Sequence, residues 1–440
     1  MAEQIAGFPF WKLKFDDDGR PEDAAHIESF INEVKAENID DLFIFSHGWN
    51  NDPTMANALY RGFFEEMRAL LDDTAIPKRR TSTIGTAGVI WPSILWPDEV
   101  PDAGEGGAVG LGDHLKKMDL FKELKKVFST PQQRETLDEL ARLLKEKKKD
   151  EKALKQFKSK LRTLVTGSPV KTSSQDNLEQ QGILADDDEW REVFEALADE
   201  EPPDESQGGA AGLGDVFGRL WRGAKSALRV ATYWKMKDRA GVVGKTGLGP
   251  IIGRLHAAVP DLKVHLLGHS FGARLVSYAL AGLPDSPSGG KSPVKSLFLL
   301  QGAFSHFTFA DALPFDKKRK GELAGMASRV DGPLLTTHSL KDSAVGHAYP
   351  IASVVAGQDA ADAAELLFRW GAMGHDGAQA VNAKQARLSR AGTAYTFEPG
   401  QWLNLDGNQV IINGDPPSGA HSDIIYPHTA WAALAAAGIG

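Results

Sequence analysis

The sequence contains no cysteine. That absence excludes disulfides, thiolate metal sites and a cysteine nucleophile, while leaving the cellular compartment open. The first twenty residues, "MAEQIAGFPFWKLKFDDDGR", lack the basic start and apolar stretch of a secretory leader. No apolar run approaches a membrane span, and the C-terminal "AWAALAAAGIG" is short enough to read as a packed last helix. These absences predict a cytoplasmic protein with no transmembrane segment. Positive charge is not in excess either. The formal net charge is -9, so there is no general attraction to nucleic acid or anionic lipid, and no nucleic-acid partner is expected. Spacings such as His-Glu-x-x-His are missing, and no metal is expected.

What is present fits a globular chain: 42% hydrophobic and 25% charged residues. At 440 residues it is long for one simple domain. Residues 1–100 alternate strand and helix signals. "DLFIFSHG" has the unbroken apolar character of a strand buried on both faces. Asp52 and Pro53 then read as an N-cap and first helical residue, and Leu59, Phe63, Met67 and Leu70 follow at helical spacing. "GVIWPSILWP" reads as another strand, ended by Pro97. Residues 101–241 differ in character. They are Lys/Glu/Leu-rich and helical in pattern, opening with the glycine-rich stretch "PDAGEGGAVGLG" and containing a second, "GGAAGLG", which precedes one long helix over 215–240. Alternation resumes at 242: helix in "GLGPIIGRLHAAVP", strand in "KVHLLGHS", helix in "FGARLVSYALAG", strands in "VKSLFLLQGAF" and "GPLLTTHSL". "QWLNLDGNQVII" adds a last strand or a hairpin. Alternation of this kind implies an α/β domain with a mostly parallel central sheet flanked by helices. Residues 1–100 and 242–440 make that core, interrupted by a helical insertion over 101–241.

One short segment carries the chemistry. In "KVHLLGHSFGARLV", an apolar strand (Val264 to Leu267) ends in Gly-His-Ser-Phe-Gly, and an apolar-faced helix (Ala273 to Leu280) follows. A sharp strand-to-helix turn lifts the Ser270 hydroxyl above the sheet, and the glycines on either side leave room for the passage. A serine hydroxyl is a weak nucleophile until a histidine takes its proton. The segment resembles the nucleophile elbow of the α/β-hydrolase superfamily. The resemblance covers about 1–100 and 242–440 and not the insertion. "FSHGWNN" and "WPS" are also similar to segments of a bacterial group within that superfamily whose members carry a His-Gly-aromatic-Asn-Asn loop.

The resemblance implies the chain order nucleophile, acid, histidine. Asp342 directly follows the apolar strand of "GPLLTTHSLKDSAVG" and is the expected acid. Asp406 in "LNLDGN" is the rival, although Asp-Gly-Asn is also a turn signal. His347 follows Asp342 too closely to come from a later strand, which leaves His375, His421 and His428. His421 lies in a Gly/Pro/Ser loop between the last strand and the last helix, the place the superfamily gives its base. By the same resemblance the oxyanion donors are the backbone N–H groups of Phe271 and, from the earlier loop, Trp49 beside Gly48. His47 and Trp49 could instead simply pack under the elbow, and Asn50 and Asn51 could cap the next helix. His269 reads as a packing residue and His338 as a strand-end core group. "GVVGKTG" has only part of a phosphate-loop pattern, with Arg239 where the first glycine belongs, and reads as a joint.

The resemblance implies a cofactor-free serine hydrolase acting on a small-molecule ester or acyl substrate. The insertion would serve as a lid or cap with glycine-rich hinges, and Trp221, Tyr233 and Trp234 could line its pocket or form its own core. Amide and thioester cleavage use the same parts. A non-catalytic binding protein on a hydrolase fold, with the charged insertion as its partner surface, is the other class of reading.

Overall fold

A computed structural model of the chain describes residues 2–93, 96, 119–166, 190–198, 213–285, 292–345, 368–369, 371–414 and 418–440. The glycine-rich stretch 101–112, residues 208–212 of the second glycine-rich stretch and His347 lie outside them. The chain divides into two compact units, one of Met1–Leu95, Lys237–Gly346 and Gly371–Gly440, the other of Trp96–Met236 and His347–Trp370.

The first unit is built on a sheet. Its elements begin with β1 (Glu3–Ile5), β2 (Phe8–Lys14), α1 (Ala24–Ala36), β3 (Asp41–Ser46), α2 (Pro53–Asp72) and β4 (Ile84–Ile90). All six residues of β3 are buried, which is what an unbroken apolar run requires of a central strand. Asp52 caps α2 by accepting the Met55 N–H at 2.8 Å, with Pro53 at the first helical position. The buried face of α2 includes Phe63, Met67 and Leu70. The fourth strand differs from expectation, starting at Ile84 and ending at Ile90, before Pro92 rather than at Pro97. Its glycines make room for neighbouring rings: a Cβ on Gly88 would lie 2.5 Å from the Tyr60 ring.

The second unit contains α3 (Leu120–Val127), α4 (Pro131–Glu146), α5 (Glu151–Thr166), α6 (Trp190–Ala198) and most of α7 (Leu213–Val242). Its core joins Phe157, Phe194 and Trp221, with the Trp221 indole donating to the Lys148 carbonyl at 3.0 Å. Trp221 is thus part of this unit's own core.

"GVVGKTG" is no loose joint. Val243–Leu248 is π-helical and runs into α8 (Gly249–Ala258). Its Gly244, and Gly249 just after it, face α9 (Phe271–Gly282), while its Gly247 lies against the Gly19 carbonyl and the Phe15 ring. A Cβ on Gly244 would lie 2.1 Å from the Leu275 carbonyl, and one on Gly249 would lie 2.5 Å from that of Ala279. They serve close helix packing.

Then come β5 (Lys263–His269), β6 (Val294–Leu300), β7 (Leu334–His338), β8 (Lys384–Arg387), β9 (Trp402–Asp406) and α10 (Pro427–Ala436). Among the described residues, nine strands form one sheet in the order β1-β2-β4-β3-β5-β6-β7-β9-β8. Only the β1–β2 pair is antiparallel. This is an α/β architecture with a mostly parallel sheet and flanking helices. β9 is a single strand and not a hairpin, since its partners β7 and β8 both run parallel to it. Among the described residues no helix is long and apolar enough to cross a membrane.

Candidate active site

Parallel strands bring their C-terminal ends to one edge of the sheet, where ligands of open α/β sheets bind. Ser270 leaves β5 at that edge with φ 57° and ψ -122°, a backbone conformation a residue with a Cβ rarely adopts. Such strain costs about 1–3 kcal/mol and persists only where the surroundings impose it. Here the Ser270 N–H donates to the Leu300 carbonyl at 3.1 Å, and its own carbonyl accepts from Ala273 at 3.1 Å and Ala303 at 3.3 Å. The glycines of Gly-His-Ser-Phe-Gly are required by close approach. A Cβ on Gly272 would fall 2.0 Å from the Ser46 carbonyl, and one on Gly268 would fall 2.4 Å from that of Gly272.

His421 stands between the two groups it was expected to join. Its Nε2 lies 2.8 Å from Ser270 Oγ and its Nδ1 lies 2.8 Å from Asp342 Oδ2. Because a carboxylate only accepts, Nδ1 carries the proton and Nε2 accepts from the serine hydroxyl. Asp342 is fully buried, and its Oδ1 accepts the Val345 N–H at 3.2 Å. A single antiparallel bridge pairs Asp342 with Gly419 and so ties the loop of the acid to the loop of the histidine. Gly419 has φ 56°, and a Cβ there would lie 2.5 Å from the Lys341 carbonyl, so glycine is needed. The histidine loop is organised by Asp423, whose carboxylate accepts from the backbones of Ile412 at 2.9 Å and Asn413 at 2.8 Å and from the Tyr426 hydroxyl.

The other candidates fall elsewhere. Asp406 is the exposed last residue of β9, and its Oδ1 accepts from the Asn408 backbone at 2.9 Å and side chain at 2.7 Å. His375 sits in the single helical turn Met373–Asp376 and His428 in the first turn of α10. His338 ends β7, and among the described residues it makes no hydrogen bond to Ser270, Asp342 or His421. His269 does more than pack. Its Nε2–H donates to the His421 carbonyl at 2.9 Å, holding the loop of His421 against the end of β5.

The loop after β3 reaches Ser270. A Cβ on Gly48 would lie 2.5 Å from Ser270 Cβ and 3.0 Å from its Oγ, so only glycine lets this backbone come so near. The Trp49 ring lies against that of Phe271, with centroids 6.2 Å apart, so the two expected oxyanion donors belong to neighbouring residues. The segments "FSHGWNN" and "WPS" meet here. The Trp91 indole donates to the His47 carbonyl at 2.9 Å, and the Ser93 hydroxyl donates to the Asn51 carbonyl at 2.8 Å. Asn51 does not cap α2; its amide donates to the Trp49 carbonyl at 2.9 Å and shapes the loop. Gly48→Ala is expected to lower turnover by about 100-fold through displacement of Ser270, a loss read from kcat with Tm as the control for folding.

Two buried histidines next to this centre stay neutral. Burial pushes His269 down to about 3, with the nearby His421 adding to the effect, and pushes His47 down to about 4. Both values lie below the ordinary histidine range, so between about pH 6.5 and pH 4 the unfolded chain binds protons that the folded one refuses. The stability these groups contribute is therefore complete above about pH 6.5 and is lost as pH falls, by about 1.4 kcal/mol per pH unit for each group. Urea unfolding from pH 7 to pH 5 is expected to show that decline, flattened in a His269→Phe variant.

Gln301 and Asp423 were not singled out from sequence. Gln301 follows the apolar β6 without a motif, and Asp423 is one carboxylate in a polar loop. Among the described residues no group of three or more His, Asp or Glu is placed to hold a metal ion. No protein-family model, curated protein or solved structure matches the chain.

Proposed function

We propose that this protein is a serine hydrolase of the α/β-hydrolase type that cleaves a carboxylic ester through an acyl-Ser270 intermediate. The observation that carries this reading is the His421 imidazole bridging Ser270 Oγ and Asp342 Oδ2, at 2.8 Å to each. The chain order supports it as well: nucleophile after β5, acid after β7, histidine after β9.

His421 Nε2 takes the hydroxyl proton as Ser270 Oγ bonds to the ester carbonyl carbon. Negative charge moves to the carbonyl oxygen, where the N–H groups of Phe271 and Trp49 are the proposed donors. The tetrahedral intermediate collapses, the C–O bond to the alcohol breaks, and His421 gives that oxygen the proton. Water then attacks the acyl-serine carbonyl, yielding its proton to His421; the acyl–Oγ bond breaks, His421 returns that proton to Ser270 Oγ, and the acid leaves. Asp342 holds the tautomer and stabilises the imidazolium throughout. Amide or thioester cleavage would use the same steps, so the test offers aryl esters of increasing acyl length, a thioester and an anilide. Saturable ester turnover by the purified protein is expected. Turnover no greater than that of Ser270→Ala on every substrate would contradict the proposal.

A further inference from the structure

Asp342 is held by a second side chain besides His421. Gln301 directly follows β6, is fully buried, and has φ 45°, a strained value for a residue with a Cβ. Its amide Nε2 donates to Asp342 Oδ2 at 2.8 Å and to the Gly374 carbonyl at 2.9 Å. Its Oε1 accepts the Thr337 hydroxyl at 2.9 Å, and its own backbone N–H donates to that same hydroxyl oxygen at 3.1 Å. A flipped amide would set its oxygen against a carboxylate and a carbonyl, so the orientation is locked. The same carboxylate oxygen therefore takes one hydrogen bond from the histidine and one from this amide.

We propose that Gln301 is a positioning residue for the acid: its locked amide pins Asp342 Oδ2 in line with His421 Nδ1 and draws part of the carboxylate charge away from the imidazole. The inference rests on the triad reading above. With the amide gone, Asp342 keeps more charge for His421, the imidazolium is favoured, and the carboxylate loses its alignment. Among the described residues His269, from the end of β5, lies beside His421 with ring centroids 5.0 Å apart, and His47 lies near His269; both His269 and His47 are kept neutral by burial. Lys341, in the same loop as Asp342, is exposed to solvent.

The test measures two things. The first is the His421 imidazole titration by NMR without substrate, which does not depend on any activity. The second is the pH profile of kcat/KM. In Gln301→Met the titration midpoint and the acid limb are expected to move together to higher pH by about half to one unit, which lowers kcat/KM by up to about a further tenfold on the acid side. kcat on the plateau is expected to fall about 10- to 100-fold with KM unchanged. Gln301→Glu keeps the shape. Its introduced carboxyl donates to Asp342 only while protonated, so this variant is expected to match the unmodified protein at low pH and lose turnover as pH rises. That pH-dependent rescue would not arise from a packing role, and the variant serves if Gln301→Met does not fold. An unmoved His421 titration in Gln301→Met, or turnover in Gln301→Glu that tracks the unmodified protein at every pH, overturns the proposal. If the unmodified protein hydrolyses no ester, the esterase reading fails while the titration still decides the role of Gln301.

Discussion

Ester turnover is expected to fall by about 10⁴-fold or more when Ser270 is replaced by alanine or by glycine, and the two variants are expected to differ in stability. Both remove the only atom of this residue able to bond to an acyl carbon. Alanine keeps a Cβ at φ 57° and loses the 2.8 Å bond to His421, so it is expected to be slightly less stable than serine. Glycine adopts positive φ without cost, so Ser270→Gly is expected to be more stable by about 1 kcal/mol or more while equally inactive. Denaturant midpoints and initial rates on the three proteins read both effects. A serine retained only for packing would not give the loss of turnover.

The second large effect separates the two candidate acids. Asp342→Asn is expected to lower kcat by about 10⁴-fold, because an amide in place of the carboxylate no longer dictates the histidine tautomer. The site makes the argument sharper. Asp342 receives three hydrogen bonds, from His421 and Gln301 on Oδ2 and from the Val345 backbone on Oδ1. An asparagine has one oxygen for these donors, so at least one N–H must face its NH₂ group. Loss of stability is expected alongside loss of rate. Asp406→Asn, at the exposed end of β9, is expected to leave turnover within about twofold. The reverse result would move the acid to Asp406.

How far the sequence could be read depended on the kind of signal each element carried. The segment from Lys263 to Gly282 announces itself because an apolar strand, two glycines and an apolar-faced helix all point to one turn, and the structure has β5 and α9 there. Asp342 and His421 were singled out from chain order, since each follows a strand that the apolar pattern reveals, and the structure places both within hydrogen-bond reach of one another. β8 was missed because Lys384–Arg387 is a mostly exposed edge strand with no apolar alternation. The start of β4 was missed because Gly85 and Gly88 are small to admit Trp11, Ile39 and the Tyr60 and Phe10 rings, and small residues do not look like a strand. "GVVGKTG" misled for a related reason: glycines chosen for a helix crossing look the same in sequence as glycines of a loop.

Polar groups that act through tertiary contacts were the least legible. Asp41 lies at the opposite end of the sheet from Ser270 in a network with Arg80, Ser82 and His265. Burial alone would raise its carboxyl, but the bonds from His265, Arg80 and Ser82 hold it well below the usual carboxylate range. Nothing local marks it, just as nothing local marks Gln301. Partners separated by 224 positions, as His265 and Asp41 are, leave no periodicity to read.

The central claim is that Ser270 is a nucleophile activated by His421. Intact-mass measurement after treatment with a fluorophosphonate, followed by peptide mapping, tests it most directly. The account predicts one covalent adduct, on Ser270, formed at least about 10³-fold more slowly in His421→Ala. An adduct on another residue, no adduct, or equally fast labelling without His421 would contradict it.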